Sequence, residues 1–160
     1  HSFPTRRSSD LRQTLDNSTF QTITIADDIK YLETYIAIEN KRFDNRIQFT
    51  IEVDESINRY QIEIPTMLLQ PFVENIFKHA FDEESLHPSF IIGFSMTVDQ
   101  RLQIQISDNG KGNTKKINTH SSKGIAIAKK RLQIMQPSNK NPIEITFPET
   151  GTTVFIRLII

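Results

Sequence analysis

Four polar residues, Glu74, Asn75, Lys78 and His79, interrupt the apolar stretch MLLQPFVENIFKHAF, residues 67–81. Wound as a helix at about 100° per residue, Leu68, Leu69, Phe72, Val73, Ile76, Phe77 and Ala80 share one broad arc. Glu74, Asn75 and Lys78 take the opposite arc, and His79 sits on the border. Two readings stand side by side. One is a solvated face, with Glu74 and Lys78 as an i,i+4 pair worth about 0.2–0.5 kcal/mol; the other is the polar lining of a site. A second constellation is SDNGKG, residues 107–112. Asp108 closes an alternating apolar run, where its carboxylate could accept hydrogen bonds from an exocyclic amine, each worth about 1.5–3 kcal/mol when charge-assisted. Gly110 and Gly112 would let the backbone approach a flat or phosphorylated ligand closely. The plain alternative is an Asn-Gly turn joining two strands.

Composition narrows the chemistry. The chain has 160 residues, enough for one domain with a real core and an appendage. With 19 basic and 19 acidic residues, no global field favours nucleic acid or an anionic membrane surface, so an anionic ligand must be held locally. The absence of cysteine removes thiolate nucleophiles, disulfides and Cys-based zinc sites. Apolar runs such as FIIGF and VFIRLII fall far below the ~20 residues that cross a bilayer, so a soluble segment without membrane insertion is expected.

The elements that must position these residues follow from periodicity. Ile29, Leu32, Ile36 and Phe43, supported by Tyr35 and Ile38, recur at helical spacing after Asp27 and Asp28, predicting a helix of about four turns. RIQFTIEVD alternates as a half-buried strand. A helix follows Pro65; SFIIGFSMTV and RLQIQIS are strands turning at Asp99 and Gln100. DNGKGNTKKINTHSSKG holds three of the five glycines and reads as a loop. GIAIAKKRLQIM is a helix stopped by Pro137, and PIEITF and VFIRLII form a closing strand pair. Short turns without βαβ alternation predict a two-layer α/β sandwich, a mostly antiparallel sheet with helices on one face.

Taken in order, ENIFKH, DNGKG, SKGIAIAKKRL and TGTTVFI resemble the ATP-binding domain of histidine kinases, within the GHKL superfamily. IPTMLLQPFVENIFKHAF is similar to the IPPMLLQPLVENAIKHG segment of LytS/YehU-type sensor kinases, and the resemblance covers roughly residues 12–160. It implies a Bergerat-type fold preceded by a helix from the dimerisation region. Residues 12–44 are then expected to end the dimerisation region and form a linker helix, and 45–160 to be the catalytic domain. Residues 1–11, HSFPTRRSSDL, are similar to a translated sequencing-library adapter and are expected to be a non-native or disordered tail, the natural chain continuing upstream.

The resemblance also implies roles. Asn75 would bind the magnesium of Mg-ATP, Lys78 would neutralise phosphate charge, and His79 would line the nucleotide pocket. Asp108 would recognise the adenine amine, with Gly110 and Gly112 completing the first glycine box. Gly124 matches the second box, where free N–H groups of a helix start favour phosphate; Gly151 and Thr152 match the last, at the adenine end. Lys115, Lys116 and Lys123 fall in the expected ATP lid, 113–123, and could approach phosphates, although solvated lysines are the plainer reading. Glu74 is grouped with Asn75 and Lys78 as catalytic, orienting a magnesium-bound water or capping a neighbour. Pro71 stands where hydrolysing relatives place a general-base glutamate, which argues against a water-activating ATPase.

The implied reaction passes the γ-phosphoryl group of ATP to a histidine on an upstream dimerisation domain, and then to a response regulator. Homodimerisation of the full-length protein and a place on the cytoplasmic side of an inner-membrane sensor follow from the same likeness. No NPHFLFN-like acceptor motif occurs here; His79, His87 and His120 lie outside that context. Ser122 and Ile127 depart from the GIGLKN pattern of many relatives, and Ala80 replaces a usual glycine. Those departures motivate the alternative of a regulatory nucleotide-binding module without turnover.

Overall fold

The alternation of Phe90, Ile92 and Phe94 with Ile91, Gly93 and Ser95 is the simplest statement of the sheet, because period-two side chains must divide between two faces. The structure, a computed structural model, describes residues 21–112 and 123–160. Five strands, β2 (Gln48–Val53), β4 (Ser89–Met96), β5 (Leu102–Asp108), β6 (Ile143–Thr146) and β7 (Thr152–Leu158), lie in the order β2-β4-β5-β7-β6. β2 and β4 are parallel and every other neighbour is antiparallel. Register aligns Ile92 with Ile106 and Ile106 with Val154, so one face is continuously apolar and buried. On the other face Arg157 bonds Gln103 at 2.9 Å and Glu144 at 2.9 Å, and its guanidinium lies 5.4 Å from the Phe155 ring centre.

Helices cover only the apolar face. α1 (Ile25–Asn40) starts two residues before the expected Asp27, because Thr24 caps it: the Asp27 N–H donates to Thr24 Oγ1 at 3.2 Å. Its stripe of Ile25, Ile29, Leu32 and Ile36 is buried in the same core as the sheet. A short 3₁₀ turn, Lys41–Phe43, follows, and Asp44 and Asn45 turn the chain with φ of 53° and 56°. α2 (Gln70–Asn75) runs directly into a π turn, Ile76–Ala80. α3 (Lys123–Met135) buries Ala128 and Leu132 and ends before Pro137, as expected. The two-layer sandwich with a mostly antiparallel mixed sheet is the architecture found.

Three details go beyond what the sequence spells out. First, contacts cross the expected division between residues 44 and 45. Asn40, buried at the end of α1, donates from Nδ2 to the Ile47 carbonyl at 2.7 Å and accepts from the Ile47 N–H at 3.1 Å, hooking the helix onto the start of β2. The helix anticipated as a linker packs on the same core as the sheet; residues 1–11 and 12–20 lie outside the described residues. Secondly, β1 (Thr22–Thr24) pairs antiparallel with β3 (Glu63–Pro65), a ribbon too short to show alternation. Thirdly, the site helix begins at Gln70 and not directly after Pro65, because Met67 adopts φ 60°, outside the helical region.

Asp28 is the anomaly of α1. It is only 4% exposed, its Oδ2 has no partner among the described residues, and burial pushes its pKa from 3.8 up to about 6. The folded state thus holds the proton more tightly than the unfolded chain, so this group costs nothing below pH 3.8 and its full penalty is felt above pH 6. Replacing Asp28 with Asn is expected to raise the unfolding free energy by about 1–3 kcal/mol at pH 7.5. The gain should shrink as pH falls toward 4, which urea titrations at the two pH values will read.

Candidate functional site

The π turn decides which side chains reach solvent at the end of the site helix. Its i→i+5 pairing widens the coil, and Ile76, Phe77, Ala80 and the following Phe81 are all buried. Lys78 and His79 are left exposed, with Glu74 and Asn75 half-buried one turn earlier. Glu74 accepts from Gln70 Nε2 at 3.2 Å and faces Lys78 Nζ at 4.0 Å, a pair open enough to solvent to add little stability.

A cavity of about 300 Å³ opens along this edge, lined by Pro71, Glu74, Asn75, Lys78, His79, Lys123 and Gly124. Six of the candidate site residues named from the sequence therefore meet in one place, contributed by the α2 helix with its π turn and by the first turn of α3. Gly124 makes the approach feasible: a Cβ there would lie 2.9 Å from Pro71 Cβ. Two ammonium groups, Lys78 and Lys123, and one carboxylate, Glu74, are among the residues lining the cavity, so its formally charged side chains sum to a net positive charge. Asn75 offers an uncharged amide oxygen, and the π turn makes no side-chain cap with it.

The remaining residues form a second cluster. Asp108, the last residue of β5, pairs across the sheet with Phe90 on one side and Thr152 on the other. Its Oδ1 accepts from the Gly110 N–H at 2.9 Å. Burial raises its pKa, against the backbone N–H groups of Gly110 and Thr152, which lower it. The glycines are there for contact. A Cβ on Gly110 would fall 2.4 Å from the Ala80 carbonyl oxygen, and one on Gly112 2.9 Å from that of Gly151. At Gly151, with φ +77°, it would fall 1.7 Å from the Asp108 carbonyl oxygen. The Lys111 N–H donates to the Ala80 carbonyl at 3.1 Å, and the Lys111 ammonium pairs with Asp82. Asp108 is not among the residues lining the 300 Å³ cavity. The two clusters meet through the π turn, whose His79 lines the cavity and whose Ala80 touches Gly110.

Sequence reasoning passed over Asn109. Its Oδ1 accepts from the Ser89 N–H at 2.8 Å and its Nδ2 donates to the His87 carbonyl at 3.0 Å, holding the start of β4 beside Asp108. An Asn before Gly reads locally as turn chemistry, and nothing in the sequence marks its distant partners. Lys115, Lys116, His120 and Ser122, with the rest of 113–122, lie outside the described residues. No group of three or more His, Cys, Asp or Glu that could hold a metal occurs among the described residues. Nor is any described helix long and apolar enough to cross a membrane.

No family model matches the chain. Curated relatives do. It is 33% identical over 122 residues to sensor protein kinase HptS of Staphylococcus aureus, covering 76% of this chain and 20% of that protein. It is 38% identical over 91 residues to an uncharacterized sensor-like histidine kinase of Staphylococcus epidermidis, covering 57% of this chain and 17% of that one. The chain thus spans about a fifth of the length of the relatives it matches. Among solved structures, the catalytic domain of histidine kinase ThkA aligns with a TM-score of 0.59 at 14% identity, covering 86% of this chain and 93% of that domain. A complex of the same kinase with response regulator protein TrrA aligns at 0.56 and 12% identity, covering 96% of this chain and 47% of that one. At such identities the structural likeness speaks for the fold alone. Sequence homology and fold agree: the chain belongs to the sensor histidine kinases, as a segment with the fold of their catalytic domain.

Proposed function

We propose that the chain binds Mg-ATP and is the phosphoryl-donating half of a LytS/YehU-type sensor kinase. Its acceptor histidine would lie on a dimerisation domain upstream, in a homodimeric, membrane-anchored parent that passes the group on to a response regulator. Histidine kinase catalytic domains bind ATP. The observation that carries the reading for this chain is the meeting of Asn75, Lys78, His79, Lys123 and Gly124 around one cavity of about 300 Å³.

The donor set fits the ligand. Magnesium takes oxygen ligands and keeps several waters, so one amide oxygen from Asn75 together with phosphate oxygens suffices without a cluster of acids. Lys78 and Lys123 supply compact positive charge for phosphates, and Gly124 leaves the start of α3 free of side chain where backbone N–H groups face an anion. Glu74, restrained by Gln70, stands beside Asn75 and could orient a bound water. At the far end of the π turn, Asp108 offers a carboxylate to the adenine amine, with Gly110, Gly112, Gly151 and Thr152 forming the backbone wall around it. The nucleotide supplies the transferable phosphoryl group: its bridging P–O bond breaks as a P–N bond to the acceptor histidine forms, and ADP leaves. The chain's own residues hold, neutralise and aim, as phosphoryl transfer requires.

Asn75→Ala is expected to abolish the magnesium-dependent part of nucleotide affinity while leaving the unfolding midpoint in place; titration of a fluorescent ATP analogue with and without magnesium measures it. Asp108→Asn is expected to reduce preference for adenine over guanine nucleotides by about ten- to a hundredfold, the equivalent of ~1.5–3 kcal/mol. Because burial raises the Asp108 pKa, adenine affinity of the unsubstituted chain should begin to fall on acidification sooner than an ordinary carboxylate would dictate, and the Asn variant should lack that step. Gly151→Ala is expected to destabilise the fold by at least ~1–3 kcal/mol, read by denaturant unfolding, since its φ and the Asp108 carbonyl leave no place for a methyl group.

A further inference from the structure

Arg131 sits on α3, seven residues beyond Gly124, with no carboxylate partner among the described residues. Its Nη1 donates to the Thr66 carbonyl at 2.6 Å. Its Nη2 is enclosed and has no partner among the described residues, and burial lowers its pKa. The guanidinium is half-buried, and its enclosed Nη2 has given up water without gaining an acceptor among the described residues, a cost that the single bond to a neutral carbonyl does not fully return. Stability is therefore a poor explanation for it, and its location offers a better one.

Thr66 begins the turn that launches the site helix: Met67 follows at φ 60°, then the fully buried Leu68 and Leu69, then Gln70. The Gln70 Oε1 is likewise enclosed without a partner. α3 thus touches this segment at two points, Gly124 against Pro71 and Arg131 against Thr66, separated by ~10 Å along its axis at 1.5 Å per residue. Ala128 and Leu132 seat α3 in the core. The Arg131 contact adds a polar tether between the helix and the segment that launches the site helix.

We infer that Arg131 is a positioning residue: by gripping the Thr66 carbonyl it holds the first turn of α3, with Lys123 and Gly124, against the cavity edge that carries Asn75 and Lys78. The inference rests on the reading of that cavity as the phosphate end of a nucleotide site. Arg131 touches no ligand itself; it acts through the orientation of α3.

The test compares Arg131→Met, similar in reach but unable to donate, with Arg131→Lys, whose ammonium can still reach a carbonyl. In the nucleotide-free chain, Arg131→Met should speed hydrogen exchange in residues 123–135 and leave the unfolding midpoint unchanged or higher. It should weaken Mg-ATP binding about tenfold, in the range seen when groups supporting a ligand-binding residue are removed, with adenosine binding unaltered. Arg131→Lys should recover most of the Mg-ATP affinity. Loss of stability with ATP and adenosine affinity falling together would overturn the inference in favour of a purely structural role. So would a Met variant that matches the unsubstituted chain in both exchange and affinity. If the unsubstituted chain fails to bind Mg-ATP, the reading of the cavity falls and the phosphate role of Arg131 with it. The exchange result separates that failure from a failure of the tether.

Discussion

The ring of Phe77 is the point on which the layers of this domain bear. Tyr35 of α1 meets it edge-on at 6.4 Å, Phe43 of the 3₁₀ turn at 6.0 Å, and Phe90 of β4 edge-on at 5.9 Å, while Phe90 stacks in turn on Phe49 of β2. Such contacts add about 0.5–1.5 kcal/mol each beyond area burial. Their larger effect is geometric. Phe77 belongs to the π turn, so the residues next to it in sequence, Lys78 and His79, inherit a fixed direction from a ring clamped on three sides. The site is held by the core and not by contacts among its own polar groups, most of which are exposed.

Much of this was legible because physical constraints left their mark locally. Strand alternation in residues 90–94 and 102–106 had to mirror the two-faced sheet, and the stripe of Ile29, Leu32 and Ile36 had to mirror a buried helix face. The clustering of Glu74, Asn75 and Lys78 opposite seven apolar residues, with His79 on the border, could be read from a helical wheel even though the real helix is shorter and ends in a π turn, because both coils bury the same arc. Glycines 110 and 112 were legible as places of close approach, and 124 and 151 as matches to the glycine boxes of the resembled family. What they approach was not: Ala80, Gly151, Pro71 and the Asp108 carbonyl are neighbours only in space.

The misses share a cause. The hook of α1 onto β2 is Asn40 bonding Ile47, the β1–β3 ribbon joins two three-residue segments some forty positions apart, and the polar contact of α3 with the start of the site segment is Arg131 reaching Thr66. Each is a single polar contact or a minimal pairing without periodicity, and Asn40 and Arg131 look like ordinary helix-end and helix-surface residues until the tertiary structure surrounds them. Asp28 belongs with them: an acid in a helix's first turn reads as a dipole partner, and only the fold shows that it is sealed from water.

The parallel pairing of β2 with β4 has a temporal consequence. Parallel neighbours cannot be joined by a tight turn, and the connection between these two, residues 54–88, contains the whole of α2 and its π turn. The helix bordering the cavity is thus also the crossover that closes the sheet's edge. Distant pairings of this kind are slow to form, because chain entropy is spent before contacts return it. The cavity-bordering helix and the edge pairing of β2 with β4 share one stretch of chain, so a change that shortens or stiffens this connection bears on both at once.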